Sequence, residues 1–579
     1  MLGSVTAQTL GDWEHCLVDD HSDDPKVDAI LDEAADRDPR VRVERRERQG
    51  GIVAATNDAL AMASGDFVAF LDNDDELNTR ALEAMAAAIE ANPDADYLYS
   101  DQDMIDERRR HSNPFIKPGW SPDRLAAQMY MAHFRVIRRS LIEALGGLRD
   151  GFDGAQDWDL ALRLSERSER IVHVPEILYH WRTLASSVAD SPEVKPWAHE
   201  ASRKAVSEHA KRLGVQAGPE PVPDFAGHYW LRPKLTETPL VSIVIPTGGR
   251  AGAEESGPLV VNCVRSIVER TTYESFELVV VIDDGAPGEV AAELERLAGD
   301  RLRLIPFSEE FNFSAKVNRG VEASRGEQVL LLNDDIEVLP SGWRPVRNGG
   351  KGGLPRWDTE TGGGRRIWLE SLLAYTLQEG VGAAGAKLYF PDGHLQHAGI
   401  IATGGLVGHP YYGFPGDNVG YMGCLMLAAN FLAVTGACLM TPRRAFESVG
   451  GFDTELPLNY NDVDYCLKLH RAGLRSVMVP HAELLHHESV SRGDEPPSAV
   501  EIEALRSRWG KLLENDPYYS RAFVDGNFGL LIMNPKGEFV DRGRIYAYYR
   551  EGGVGLVLKR AFNRLRHLRR RAAVALQRR

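Results

Sequence analysis

SRGEQVLLLNDDIEV, residues 324–338, is the stretch from which the chain is read. A glycine-led, unbroken apolar run suits a strand buried on both faces of a parallel sheet and covered by helices. The run ends in Asn333-Asp334-Asp335, and in such sheets ligands gather beyond the carboxyl ends of the strands. Upstream, SGDFVAFLDNDDEL at 64–77 has the same form and ends in Asn73-Asp74-Asp75.

The likeness extends in both directions from this motif. CLVDDHSDD at 16–24 answers LVVVIDDGAPG at 278–288, and GGLRDGFDGAQDWDLALRL at 146–164 answers GGFDTELPLNYNDVDYCLKL at 450–469. HVPEILYHW at 173–181 is echoed by MVPHAELLHH at 478–487. Recurrence in one order indicates a tandem duplication. The expected division is a first domain over 1–218, a Pro-rich linker over 219–238, a second domain over 239–530 and a basic tail over 531–579. Short apolar runs alternating with helical patterns predict α/β architecture with mostly parallel sheets. The second copy opens with the complete strand VSIVIPT at 241–247, for which the first copy has no counterpart. Residues 344–366, rich in glycine and charge, read as a surface insertion.

Composition narrows the function classes. The 579 residues are 43% hydrophobic and 26% charged, as in globular proteins. A net charge of −17 argues against a nucleic-acid partner, which requires surplus Lys and Arg. The five cysteines form no CxxC pair, so a disulfide framework and a structural zinc site are not expected, and a reducing, cytoplasmic setting fits. No secretory signal opens the sequence. The uncharged stretch 421–440 approaches a bilayer's thickness, but its interior Asn430 and glycines favour a short helix followed by a buried strand. Phosphate-loop, GxGxxG and GxSxG signatures are absent from the sequence. Arginines alternate with Leu558, Phe562, Leu565 and Leu576 in the tail, predicting an amphipathic helix that rests on anionic membrane.

Adjacent carboxylates at a buried strand tip repel and lose solvation, a cost that a hard divalent cation removes, which makes Asp334-Asp335 and Asp74-Asp75 candidate metal ligands. The plain alternative is a capping acid. Asp283-Asp284 and Asp19-Asp20 end the preceding strand, where acids accept from base N–H and ribose hydroxyl groups. Lys316 and Asn318 stand near a helix start suited to phosphate, with solvated surface as the alternative. Asp462 opens a helix, where it either complements the dipole or serves as general base. In HHESVSRG at 486–493, His486 suits a metal shell and Arg492 a diphosphate.

Taken together, VSIVIPT, VVVIDDGA, FNFSAKVNRG, LLLNDDIEV, YFPDGHLQHAGI, VTGACLMTPRRAFESVGGFD, YNDVDYCLKL and HHESVSRG resemble the family 2 glycosyltransferases of GT-A fold, especially bacterial tandem-domain rhamnosyltransferases and O-antigen or cell-wall polysaccharide transferases. The resemblance implies an inverting transfer from a nucleoside-diphosphate sugar, with rhamnose as a candidate, to a glycan or lipid-linked acceptor. It places Mg²⁺ or Mn²⁺ on Asp334-Asp335, with nucleotide-sugar contacts from Asp283 and Asn333, Asp462 as base, and His486 as late metal or phosphate ligand. In the first copy the matching residues are Asp19 or Asp20, Asp74, Asp75, Asp157 and His180. Processive synthases of this superfamily carry QxxRW; LRSRW at 505–509 lacks the Gln, so processive membrane synthesis is not expected. The tail's pattern makes a cytoplasmic protein, peripheral on the inner face of the cell membrane, the expectation. A competing class is a non-catalytic nucleotide- or glycan-binding assembly protein on the same fold. A sugar-phosphate nucleotidyltransferase requires a basic Gly-rich loop after the first strand, which VSIVIPTGGR does not supply.

Overall fold

A computed structural model of the chain describes residues 1–183, 196–223, 225–250, 257–340, 342–345, 367–403, 405–487 and 498–520. Most of the expected insertion, Arg492 and the whole basic tail lie outside the described residues. The chain divides into two compact units, Met1–Leu231 and Arg232–Arg579.

Unit 2 is built on Val241–Thr247, whose residues are all buried. Alternate side chains point to opposite faces. Ile243 and Ile245 join Val260, Val264 and Leu294 on one face, while Val244 joins Val317 and Val321 on the other. This strand is paired in parallel with Phe276–Asp283 on one side and with Gln328–Leu332 on the other. Leu302–Phe307 extends the parallel set beyond Phe276–Asp283. The helix Phe313–Ala323 is capped by Asn312, whose side chain accepts from Ala315 N, and it lies close to the sheet at Gly320. A Cβ on Gly320 would stand 2.3 Å from Val244 Cγ1, so only glycine permits this approach.

Beyond Gln328–Leu332 the direction changes. Cys438–Pro442 enters antiparallel to it and antiparallel to Val381–Tyr389, which in turn runs parallel to Arg475–His486. Ile336–Val338 closes the far edge antiparallel to Arg475–His486. The expectation of a mostly parallel sheet is therefore corrected to a mixed one. A parallel neighbour requires a crossover, usually a helix, whereas Cys438 is reached from Val381–Tyr389 through short strands and a 3-10 turn at Tyr421–Met426. The apolar stretch 421–440 is consumed by that turn, by Ala429–Phe431 and by the start of Cys438–Pro442. Among the described residues no helix is long and apolar enough to cross a membrane.

Unit 1 repeats the second half of this order. Phe67–Ala69, Arg135–Arg138, Tyr97–Ile105, Ile171–Arg182 and Glu76–Leu77 follow one another across a mixed sheet. His111–Phe115 pairs antiparallel with Tyr97–Ile105. His15–Asp19 and Val41–Arg45 form a separate parallel pair. Among the described residues no strand joins this pair to Phe67–Ala69, the place that Val241–Thr247 takes in unit 2. The stretch expected as a linker includes an antiparallel pair, Pro219–Pro221 with Tyr229–Leu231, held by burial of Tyr229 and Trp230.

Candidate active site

In unit 2 the parallel register brings the ends of adjacent strands together: Thr247, Asp283 and the Asn333-Asp334-Asp335 turn lie side by side. Thr247 Oγ1 donates to Asp334 Oδ2 at 2.6 Å and accepts from Gly249 N at 3.0 Å. Burial pushes the Asp334 carboxyl up to about 6, with the neighbouring Asp335 adding to the effect against the Thr247 hydrogen bond. For Asp335 burial acts in the same direction, but the His486 imidazole holds it below the usual carboxylate range.

His486 comes from the far end of Arg475–His486, and its Nε2 lies 3.1 Å from Asp335 Oδ1. Its Nδ1 faces Gln396 Oε1 at 2.8 Å. An Nδ1–H donated to that oxygen leaves the Nε2 lone pair of a neutral ring directed at a carboxylate. Such an arrangement is stable only with a proton or a cation between the two atoms. Asp335 Oδ1 is buried without a well-aligned hydrogen bond, and so is Asn333 Oδ1. Asp335, His486 and these oxygens are donors of the kind a divalent cation takes, although the ligand atoms of Asp334, Asp335 and His486 do not all lie within 4.8 Å of one another as they stand.

Lys316 is 2% exposed, and its Nζ is 2.5 Å from Asp283 Oδ1 and 3.2 Å from the Thr247 carbonyl oxygen. The ammonium thus orients Asp283, whose side chain remains 38% exposed; Asp284 beside it is exposed. Asn318, expected near the nucleotide, uses both ends of its amide on Phe452: Nδ2 donates to the carbonyl at 2.8 Å and Oδ1 accepts from the N–H at 2.9 Å.

Asp462 stands in the first turn of Asn461–Arg471. Its Oδ2 accepts from Gly436 N at 2.8 Å and its Oδ1 from Val463 N at 2.8 Å. One residue further, the Ala437 carbonyl accepts from Asn333 N at 3.0 Å, so a short loop links Asp462 to the acidic motif. Asp464 is buried and accepts from Trp509 Nε1 at 2.9 Å, which makes it part of the scaffold. The sequence reading missed Thr247, Gln396 and His397. Burial, together with His409 and His486, holds His397 well below the ordinary histidine range. Gln396 and His397 stand in YFPDGHLQHAGI, whose pairing of polar residues with a buried run was the available signal.

Unit 1 arranges the corresponding residues differently. Asp20 accepts from Gly50 N at 2.9 Å and Gly51 N at 2.8 Å, capping the helix Gly51–Met62. Asp19 accepts from Ser22 Oγ at 2.5 Å within its own turn. Asp75 is fully buried, accepts from the Tyr179 hydroxyl and from Arg182 N at 2.7 Å, and is pushed up to about 6 by burial. Asp157 Oδ2 lies 3.2 Å from Arg135 Nη1, and its Oδ1 accepts from Trp158 N at 2.8 Å. A cleft of about 550 Å³ is lined by Asp72, exposed Asp74, Asp157, His133, Arg135 and Trp181. His133 stacks on Tyr179, with ring centroids 5.4 Å apart. His180 contacts Asp103 at 2.6 Å instead of joining Asp74 and Asp75.

Comparison with known proteins follows this division. The sequence model described as Glycosyl transferase family 2 matches residues 1–146 and 242–348, one segment in each unit. The chain is 38% identical over 535 residues to the uncharacterized protein y4gI of Sinorhizobium fredii, covering 90% of this chain and 55% of that protein. It is 37% identical over 529 residues to the O-antigen biosynthesis protein RfbC of Myxococcus xanthus, covering 90% of this chain and 38% of that protein. A shorter segment of 65 residues is 46% identical to the N-acetylglucosaminyl-diphospho-decaprenol L-rhamnosyltransferase of Mycobacterium tuberculosis, covering 11% of this chain and 21% of that enzyme. The chain thus spans about half or less of the length of the curated relatives it matches across most of its sequence. One segment in each unit, residues 1–146 and 242–348, is thus similar to glycosyl transferase family 2.

Proposed function

We propose that unit 2 is an inverting, divalent-cation-dependent glycosyltransferase site that moves a sugar from a nucleoside-diphosphate donor to a glycan or lipid-linked acceptor. The observation that carries the reading is the convergence of Thr247, Asp283, Asp334, Asp335 and His486 at one strand end, with Asp462 linked to it through Gly436. Asp334, Asp335 and His486 would hold Mg²⁺ or Mn²⁺, which supplies charge neutralisation to the leaving diphosphate.

The chain's own groups account for the rest. Asp283, fixed by Lys316, accepts from the base N–H or ribose hydroxyl and sets the donor's register. Asp462 takes the proton of the acceptor hydroxyl, so that the oxygen attacks the anomeric carbon opposite the departing phosphate and the configuration inverts. Its two backbone hydrogen bonds fix the carboxylate while leaving each oxygen a lone pair for that proton.

The similarity to an O-antigen biosynthesis protein supports a role in bacterial surface polysaccharide synthesis, and the rhamnosyltransferase segment supports rhamnose as the sugar. That role fits an enzyme in the cytoplasm, at the inner face of the membrane, with the basic segment 531–579 as the proposed contact. In unit 1 the counterparts Asp20, Asp75 and Asp157 are engaged by a helix N-terminus, Tyr179 with Arg182, and Arg135 respectively, which supports unit 2 as the site of turnover. Release of nucleoside diphosphate is to be measured across a panel of nucleotide sugars with Mg²⁺, Mn²⁺ or chelator. Cation-dependent release that is lost in Asp334→Asn is the expected result; no release from any donor favours a non-catalytic binding protein.

A further inference from the structure

The two units direct the histidine near the end of their long strand to different partners. In unit 2 His486 faces the acidic motif through Asp335. In unit 1 the acid in the matching place, Asp75, accepts from Tyr179 and Arg182, and the next residue, Glu76, is paired with Arg182 and Arg109. His180 instead has Nδ1 2.6 Å from Asp103 Oδ1. The second oxygen of Asp103 lies 2.9 Å from His111 Nδ1. The two imidazoles meet edge to face with centroids 4.7 Å apart.

The sheet sets this trio. Asp103 belongs to Tyr97–Ile105, His111 to its antiparallel neighbour and His180 to its parallel neighbour, with Asp103 and His180 directly opposite in register. One ligand atom from each of the three residues can be chosen so that all lie within 4.8 Å of one another. Asp103 and His180 have side chains only 9% and 12% exposed, whereas His111 is 56% exposed. Two donors are thus held by the sheet, and the third stands at a mouth open to solvent.

We propose that Asp103, His111 and His180 form a binding site for a borderline divalent transition ion of the Zn²⁺ class, separate from the hard-cation motif of unit 2. Two imidazoles and one carboxylate are a nitrogen-rich set, which suits Zn²⁺ or Co²⁺ better than Mg²⁺. Three protein ligands leave a position for water or another group on the side of His111. Binding displaces the protons that now lie between Asp103 and the two rings, and it ties the hairpin formed by Tyr97–Ile105 and His111–Phe115 to Ile171–Arg182.

The test is titration of the full chain, stripped by chelator and held in excess Mg²⁺, with Co²⁺ followed by its visible d–d absorption and with Zn²⁺ followed by competition. One equivalent of Co²⁺ is expected to give a band that Zn²⁺ abolishes, that survives Asp334→Asn and that weakens by more than about tenfold in His111→Ala. His111 is half-exposed on a hairpin, so its replacement leaves folding intact; circular dichroism checks this. Absence of the band in the wild-type chain, or a band unchanged in His111→Ala, overturns the proposal and leaves Asp103 as a hydrogen-bonding tether for two imidazoles.

Discussion

His486 Nε2 lies 3.1 Å from Asp335 Oδ1, with the other ring nitrogen turned to Gln396 at 2.8 Å. Gln396 therefore selects which nitrogen faces the acid, the usual task of a group behind a metal-binding imidazole. Replacing Gln396 by Leu removes the oxygen that orients the ring while preserving bulk. The Mn²⁺ concentration for half-maximal donor turnover is expected to rise about 10- to 100-fold, with saturated turnover changed much less. An equal loss of turnover at all Mn²⁺ concentrations would assign Gln396 a role other than orienting the ligand.

Asp334 carries the pH dependence. Its carboxyl stands at about 6 in the folded chain against an ordinary 3.8. Because the folded value is raised, its contribution to stability is complete below the unfolded value and is lost as pH rises through about 6. In chelator, Asp334→Asn is therefore expected to stabilise unit 2 above pH 7 by on the order of 1–2 kcal/mol, allowing for residual solvent at this half-buried site, and to do nothing near pH 3. Cation affinity at the proposed site is expected to have the opposite dependence, full above about pH 6 and falling about tenfold for each unit below it. Thermal melts across pH, with and without Mn²⁺, check both halves.

How far these residues were legible in the sequence depends on the distance over which each contact acts. Val241–Thr247 and Gln328–Leu332 were readable because burial on both faces requires an unbroken apolar run. Strand direction beyond them was not, since it depends on whether a crossover helix precedes Cys438–Pro442, and local pattern carries no sign of that. The Gln396–His486 contact joins residues 90 positions apart, so neither neighbourhood announces it. Asp20 shows the reverse difficulty: an acid at a strand end looks like a ribose ligand, yet here it caps the helix Gly51–Met62 through two backbone N–H groups.

Lys316 gives a prediction about donor binding. Its ammonium is buried between Asp283 Oδ1 and the Thr247 carbonyl oxygen, so Lys316→Met keeps most of the packing while releasing Asp283. Asp283 remains partly in water and is not stranded, which limits the stability loss to less than the roughly 3–5 kcal/mol of a broken buried pair. The donor KM is expected to rise about tenfold, the worth of one charge-assisted hydrogen bond, with kcat nearly unchanged. A large fall in kcat at unchanged KM would move Lys316 from orienting the donor to the chemistry itself.

The remaining prediction separates the units. Asp462 and Asp157 each stand in the first turn of a helix and accept from the next residue's N–H, so their local settings are alike. Their second partners differ: Asp462 meets the neutral Gly436 N–H, while Asp157 lies 3.2 Å from the Arg135 guanidinium. Asp157 thus already holds a charged side-chain partner, whereas the hydrogen bonds of Asp462 come from backbone N–H groups. Asn retains the size and much of the hydrogen bonding of Asp but not its basicity. Asp462→Asn is thus expected to lower kcat by about a hundredfold or more. Asp157→Asn should change kcat by less than about threefold and mainly destabilise unit 1, where it leaves Arg135 buried without its carboxylate. Initial rates and thermal melts on both variants read the two effects apart. Loss of turnover in Asp157→Asn with an active Asp462→Asn would transfer the reaction to unit 1 and make the Arg135 contact part of the active state.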